Sequence, residues 1–140
     1  MRSRFFAACL VLSGVLIACT GAPVRDAARP LKIAAWNLEH LAERDGSGCR
    51  PRTQDDYSAL RADVQRLDAD VIAFAEVESA AAAARVFPAS EYTILMSDRP
   101  DSGRDSFCRR DADSGPKINR QDVGFAIRHG IAFQRHADVD

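Results

Sequence analysis

The sequence predicts an α/β fold built around a βαβ unit. Three observations carry this. The run Leu31-Lys32-Ile33-Ala34-Ala35-Trp36 is short and largely apolar and leads straight into Asn37. The run Asp70-Val71-Ile72-Ala73-Phe74-Ala75 has a continuous apolar middle and leads into Glu76. Between them Tyr57, Leu60, Val64 and Leu67 recur at helical spacing. Strand, helix, strand in this order predicts parallel strands with a right-handed crossover. Parallel strands share a direction, so Asn37 and Glu76 are expected at the same sheet edge, where ligands of such sheets bind.

Residues 1–18 read as a targeting segment, with Arg2 and Arg4 before an apolar run from Phe5 to Ala18. That run is shorter than the ~20 residues a spanning helix needs and has the layout of a secretory signal. Leu16-Ile17-Ala18-Cys19 resembles a bacterial lipobox. On that resemblance cleavage leaves Cys19 lipidated at the new N-terminus. The alternatives are an ordinary signal peptide or an uncleaved anchor. The expected location is the bacterial cell envelope, membrane-anchored on the periplasmic face. Residues 19–30 read as a tether containing Gly21, Pro23 and Pro30, and residues 31–140 as one domain.

The first strand is followed by a polar loop with Gly46, Gly48 and Pro51. The helix is expected to begin at Thr53, an N-cap residue with Asp56 three positions on. The second strand's continuous apolar run predicts burial on both faces. Residues 80–84 are all alanine and predict a short helix, ended by Pro88. A third strand is expected over 92–96, then a long polar loop over 97–119, a length usually reserved for functional segments. Residues 122–128 and 131–135 are expected as two strands turning at Gly130.

The formal net charge is −1, and loss of two signal arginines makes the mature chain more acidic. That excludes the broad basic footprint of tight non-specific nucleic-acid binding, but not a nuclease with local contacts. Of four cysteines, Cys9 lies in the signal and Cys19 is the lipidation candidate. Cys49 and Cys108 remain, and in an exported protein a disulfide is preferred over two free thiols. Such a bridge stabilises by about 3–4 kcal/mol in the loop-entropy model.

Three motifs follow one another in order: Trp36-Asn37 closing the first strand, Asp70-Val71-Ile72-Ala73-Phe74-Ala75-Glu76-Val77-Glu78, and Arg120-Gln121-Asp122-Val123-Gly124-Phe125-Ala126-Ile127-Arg128. Together they resemble the N-terminal half of the endonuclease/exonuclease/phosphatase superfamily, over residues 31–140. The resemblance implies a four-layer α/β/β/α sandwich, incomplete in this chain, that cleaves phosphoester bonds with Mg²⁺ or Mn²⁺. It implies that Glu76 binds the metal and that Asn37 is the active-site asparagine, a member of the metal set whose amide oxygen helps position metal or phosphate. The substrate implied is a phosphodiester or phosphomonoester, nucleic acid included. No protein partner is inferable.

The chain departs from the family pattern in two places. The family usually has glutamine before the metal-binding glutamate, and Ala75 stands there instead. The family's second half supplies a histidine, a paired Asp/Asn motif and a terminal Asp-His pair, and none is found here. His40 follows the first strand too closely to match either histidine, and His129 and His136 match no family motif. The expectation is therefore a fragment without the general base. The alternative is a truncated, inactive lipoprotein that serves as a binding module or has no activity.

Blander readings stand beside these. Glu76 also fits a solvent-facing strand-end carboxylate, and Asn37 a turn residue. Glu39 and Glu78 lie nearby, with a role in positioning metal or water as the alternative to the favoured reading of solvated surface. Asp111-Ala112-Asp113 opens like a calcium loop, but Pro116 stands where that loop needs glycine. Arg104, Arg109 and Arg110 fit a phosphate contact or a solvated loop.

Overall fold

β1 (Ile33–Leu41) and β2 (Val71–Val77) lie side by side and parallel, in a register that pairs Ile33 with Val71 and Asn37 with Ala75. They belong to a computed structural model that describes residues 29–100, 107, 108, 117, 118 and 120–138. The candidate signal, Cys19, most of the tether, Arg104, Arg109, Arg110 and Asp111-Ala112-Asp113 lie outside the described residues. Among the described residues, no helix is long and apolar enough to cross a membrane.

The connection between the two strands is α1 (Gln54–Leu67). Its start is a complete capping box. The Thr53 hydroxyl accepts the Asp56 N–H, and the Asp56 carboxylate accepts the Thr53 N–H at 2.7 Å. Its end is Asp68, which takes a left-handed conformation (φ 43°) and donates its N–H to the Val64 carbonyl. Tyr57 and Val64 are buried, with Leu60 and Leu67 packed beside them, so the whole stripe read from spacing faces the core. The Tyr57 hydroxyl donates to the Ala42 carbonyl at 2.8 Å. Burial pushes the Tyr57 phenol up from its ordinary value.

α2 (Ala80–Ala84) follows β2, capped by the Ser79 hydroxyl. β3 (Tyr92–Met96) and β4 (Asp122–Arg128) complete a mixed sheet of order β1-β2-β4-β3. β4 runs antiparallel to both of its neighbours.

Burial along β2 corrects one expectation. Ile72, Phe74 and Val77 are buried, while Val71 and Ala73 are only half-buried. The strand therefore alternates, because one sheet face carries the helices and, among the described residues, the other carries none. Phe74 stacks on Phe87, and Phe87 meets Tyr92 edge to face, on the covered side. On the other side Ile33, Val123 and Phe125 stand 49–66% exposed. Leu31 and Phe133 border the same face, around an open cavity of about 570 Å³.

The second correction concerns residues 131–135, which do not form a strand. The chain turns at Gly130 (φ 87°) and leaves the sheet. β4 pairs with β2 on one edge and, over residues 124–128, with β3 on the other, so the edges next to the Gly130 turn are already taken. The segment is held instead by side chains. Arg135 donates to the Met96 carbonyl at 2.9 Å, and Asp138 accepts the Asp98 N–H at 2.7 Å.

Asp70, just ahead of β2, joins three chain segments at the far sheet edge. It is 1% exposed, and its carboxylate accepts the Lys32 N–H at 2.8 Å and the Arg29 guanidinium at 3.1 Å. Its backbone N–H donates to the Lys32 carbonyl, and its carbonyl accepts the Arg128 N–H. A buried carboxylate is tolerated when it is paired and hydrogen-bonded in this way.

Gly124 is where β4 meets the core. A Cβ there would sit 2.6 Å from Phe74 Cζ and overlap the Leu95 carbonyl oxygen. Gly124→Ala is expected to cost about 2–3 kcal/mol, at the upper end for overpacking, because one obstacle is backbone. Thermal unfolding followed by circular dichroism checks this; an unchanged Tm would refute it. The capping box gives a pH prediction. Hydrogen bonding to Thr53, first its N–H and then its hydroxyl, holds the Asp56 carboxyl below the ordinary Asp range. Its contribution is present above the unfolded-state pKa and is lost as pH falls below about 4. Asp56→Asn is expected to be less stable at pH 7, with a shallower loss between pH 5 and 2 in denaturant titrations.

Candidate functional site

Asn37 and Glu76 meet at the carboxyl edge of the parallel pair. The Asn37 Nδ2 donates to Glu76 Oε1 at 2.8 Å, and Asn37 Oδ1 accepts the Glu39 N–H at 2.8 Å. The second bond decides the orientation of the amide: its oxygen must face the Glu39 N–H, so its nitrogen faces the carboxylate. In this arrangement Asn37 is a donor that holds Glu76, not an outward-facing oxygen.

The local backbone that permits this is unusual. Glu39 (φ 45°), His40 (φ 57°) and Glu76 (φ 60°) all occupy the left-handed region without being glycine. Each costs on the order of 1–2 kcal/mol. The β1–β2 register shifts between Asn37 and Leu41, and the β2–β4 register shifts between Phe74 and Val77. Both strands therefore bulge at the same edge, where bulges re-aim side chains. The bulge also lets Leu38 and Leu41, three apart, both reach the core. Strain of this kind persists only where the surroundings enforce it, and it gathers at functional sites.

The bulge brings in a residue that sequence reading set aside. His40 Nε2 lies 3.8 Å from Glu76 Oε2, in ion-pair range but beyond a hydrogen bond. His40 Nδ1 is buried without a hydrogen-bond partner among the described residues. An orphaned lone pair is cheaper than an orphaned N–H, so the neutral tautomer that fits carries its hydrogen on Nε2, facing Glu76. No spacing rule points to this contact, because it needs two successive left-handed residues. By contrast His129 follows Arg128, at the opposite edge of the sheet from Glu76.

The two other carboxylates near the pair are engaged elsewhere. Glu39 turns away to Arg50, 2.8 Å from its guanidinium, and the hydrogen bond and charge of Arg50 lower its pKa. Glu78 accepts the Glu43 N–H at 2.7 Å. Among the described residues, no group of three His, Cys, Asp or Glu side chains converges as a metal cage.

The loop carrying Arg50 is tied by a disulfide between Cys49 and Cys108, with Cα atoms 5.2 Å apart and 59 residues of separation. It joins the loop after β1 to the loop after β3. Comparison with known proteins gives no relative to argue from: no protein-family model, curated protein or solved structure matches this chain.

Cys49→Ser, or reduction of the native chain, is expected to lower stability by about 4 kcal/mol, the loop-entropy figure for a closed loop of this length. Denaturant midpoints with and without reductant test this; equal midpoints would rule out a stabilising bridge.

Proposed function

We propose that this chain carries the metal-holding edge of a divalent-metal-dependent phosphoesterase, nuclease or phosphodiesterase in type, of the endonuclease/exonuclease/phosphatase superfamily. The observation that carries the reading is the 2.8 Å bond from Asn37 to Glu76 at the carboxyl edge of a parallel strand pair. The wider four-layer sandwich, export through a lipoprotein signal and lipid attachment at Cys19 belong to the same proposal. So does the substrate class, a phosphodiester or phosphomonoester with nucleic acid among the candidates.

The residues fit a Mg²⁺ or Mn²⁺ ion. Mg²⁺ keeps several waters and takes one or two carboxylates plus substrate phosphate, so one well-held carboxylate suffices. Glu76 would hold the cation. Its Oε1 is fixed by Asn37, and its side chain is about one-third exposed, open to solvent and ligand. Asn37 orients the carboxylate without adding charge, and a partner of this kind is typically worth 10–100-fold in metal affinity. When bound, the cation supplies positive charge that polarises a phosphoryl oxygen. Ala75 leaves Glu76 without the side-chain neighbour the family pattern supplies, while the bond from Asn37 on the adjacent strand is kept.

Glu76→Ala is expected to weaken Mn²⁺ binding at least tenfold and to abolish Mn²⁺- or Mg²⁺-dependent hydrolysis of bis(4-nitrophenyl) phosphate. Equal Mn²⁺ binding by wild type and variant would sink the metal reading. Glu76-dependent Mn²⁺ binding without turnover on either diester or monoester would favour a non-catalytic binding module.

A further inference from the structure

We propose that Arg52 is a positioning residue of the Glu76 site, acting through the backbone of the β1 bulge. One guanidinium gathers three successive carbonyls. Arg52 Nη2 donates to Leu38 O at 2.7 Å and Glu39 O at 3.2 Å, and Nη1 donates to His40 O at 3.4 Å. In an ordinary strand successive carbonyls point to opposite sides. They converge here because Glu39 and His40 are both left-handed, and the guanidinium satisfies the oxygens that this geometry brings together.

The bulge in turn sets the site. It delivers the Glu39 N–H to Asn37 Oδ1, which fixes the amide nitrogen on Glu76, and it carries the His40 ring to the other carboxylate oxygen. Arg52 is itself anchored, because the next residue is the Thr53 cap of α1. The helix start, the bulge and the carboxylate thus form one connected chain of contacts. Lysine substitutes only in part, since a point ammonium lacks the planar fork that spans several acceptors.

The inference rests on Glu76 being a metal carboxylate, so its test uses the metal alone. Mn²⁺ is titrated into the full chain and its free signal followed by electron paramagnetic resonance, with thermal unfolding measured in parallel. Arg52→Ala is expected to weaken Mn²⁺ binding about tenfold, the lower range for a supporting residue, with Arg52→Lys in between. Glu39→Gly introduced into Arg52→Ala is expected to restore affinity from the Arg52→Ala level to that of Glu39→Gly alone, because glycine takes the left-handed conformation without strain. Val64→Ala, a buried change in α1, is expected to lower Tm and leave Mn²⁺ binding intact.

Wild-type affinity in Arg52→Ala would overturn the proposal. So would an equal weakening by Val64→Ala, or failure of Glu39→Gly to restore binding. If Arg52→Ala does not fold, Arg52→Lys and the double variant decide the matter. Glu76→Ala separates the two claims. Unweakened binding there removes the metal reading itself, whereas weakened binding there with unchanged Arg52→Ala removes only the positioning role.

Discussion

The parallel pairing of β1 with β2 is the constraint on which the rest of the molecule depends. It places Asn37 opposite Ala75, one residue from Glu76, and so makes the amide–carboxylate bond possible. A one-residue slip would turn every side chain of β1 to the other sheet face. The register is pinned at both ends by different chemistry. At the far edge Asp70 ties β2 to Lys32 and Arg29 with a buried carboxylate. At the near edge Arg52 gathers the carbonyls of the bulge. Between these anchors lies ordinary strand pairing, with Ile72 and Phe74 filling the space beneath the helices.

The near edge gathers more left-handed backbone than the far edge, where Asp68 alone among the described non-glycine residues adopts it. Three non-glycine residues at the near edge sit in left-handed backbone, and the side chains so placed converge on a single carboxylate. An unstrained strand end would have carried Asn37 and Glu76 to the same edge but would not have delivered the Glu39 N–H or the His40 ring. Each opposing term is small, so the arrangement is held jointly by the Arg52 clamp, the Tyr57 hydroxyl on the Ala42 carbonyl and the disulfide beside it.

What could be read from the sequence was what local pattern determines. The Thr53 cap, the Tyr57-Leu60-Val64-Leu67 stripe and the alanine helix are local, and their chemistry is visible within a few residues. The meeting of Asn37 and Glu76 was legible because parallel strands leave a sheet in one direction. The bulge was not, since Glu39 and His40 carry none of the glycine that normally signals left-handed backbone. The 131–135 segment departs from its pattern for a different reason. Its alternation is that of a strand, but pairing needs a vacant edge, and β3 occupies the one on β4. Burial on both faces of β2 was also a non-local question, settled by which sheet face the helices cover.

The sheet order has a consequence for how the chain is made. β4, the last of the described strands, lies between β2 and β3, both of which precede it. While the chain emerges from the ribosome, β2 pairs early with β1 but shows its other edge until residues 122–128 arrive. Among the described strands, β3 has no sheet partner during that interval. Unpaired edges beside apolar strands are templates for association with other chains. The vulnerable period for this protein therefore lies in its synthesis, between the completion of β2 and the insertion of β4, and any factor that shields nascent chains would act there.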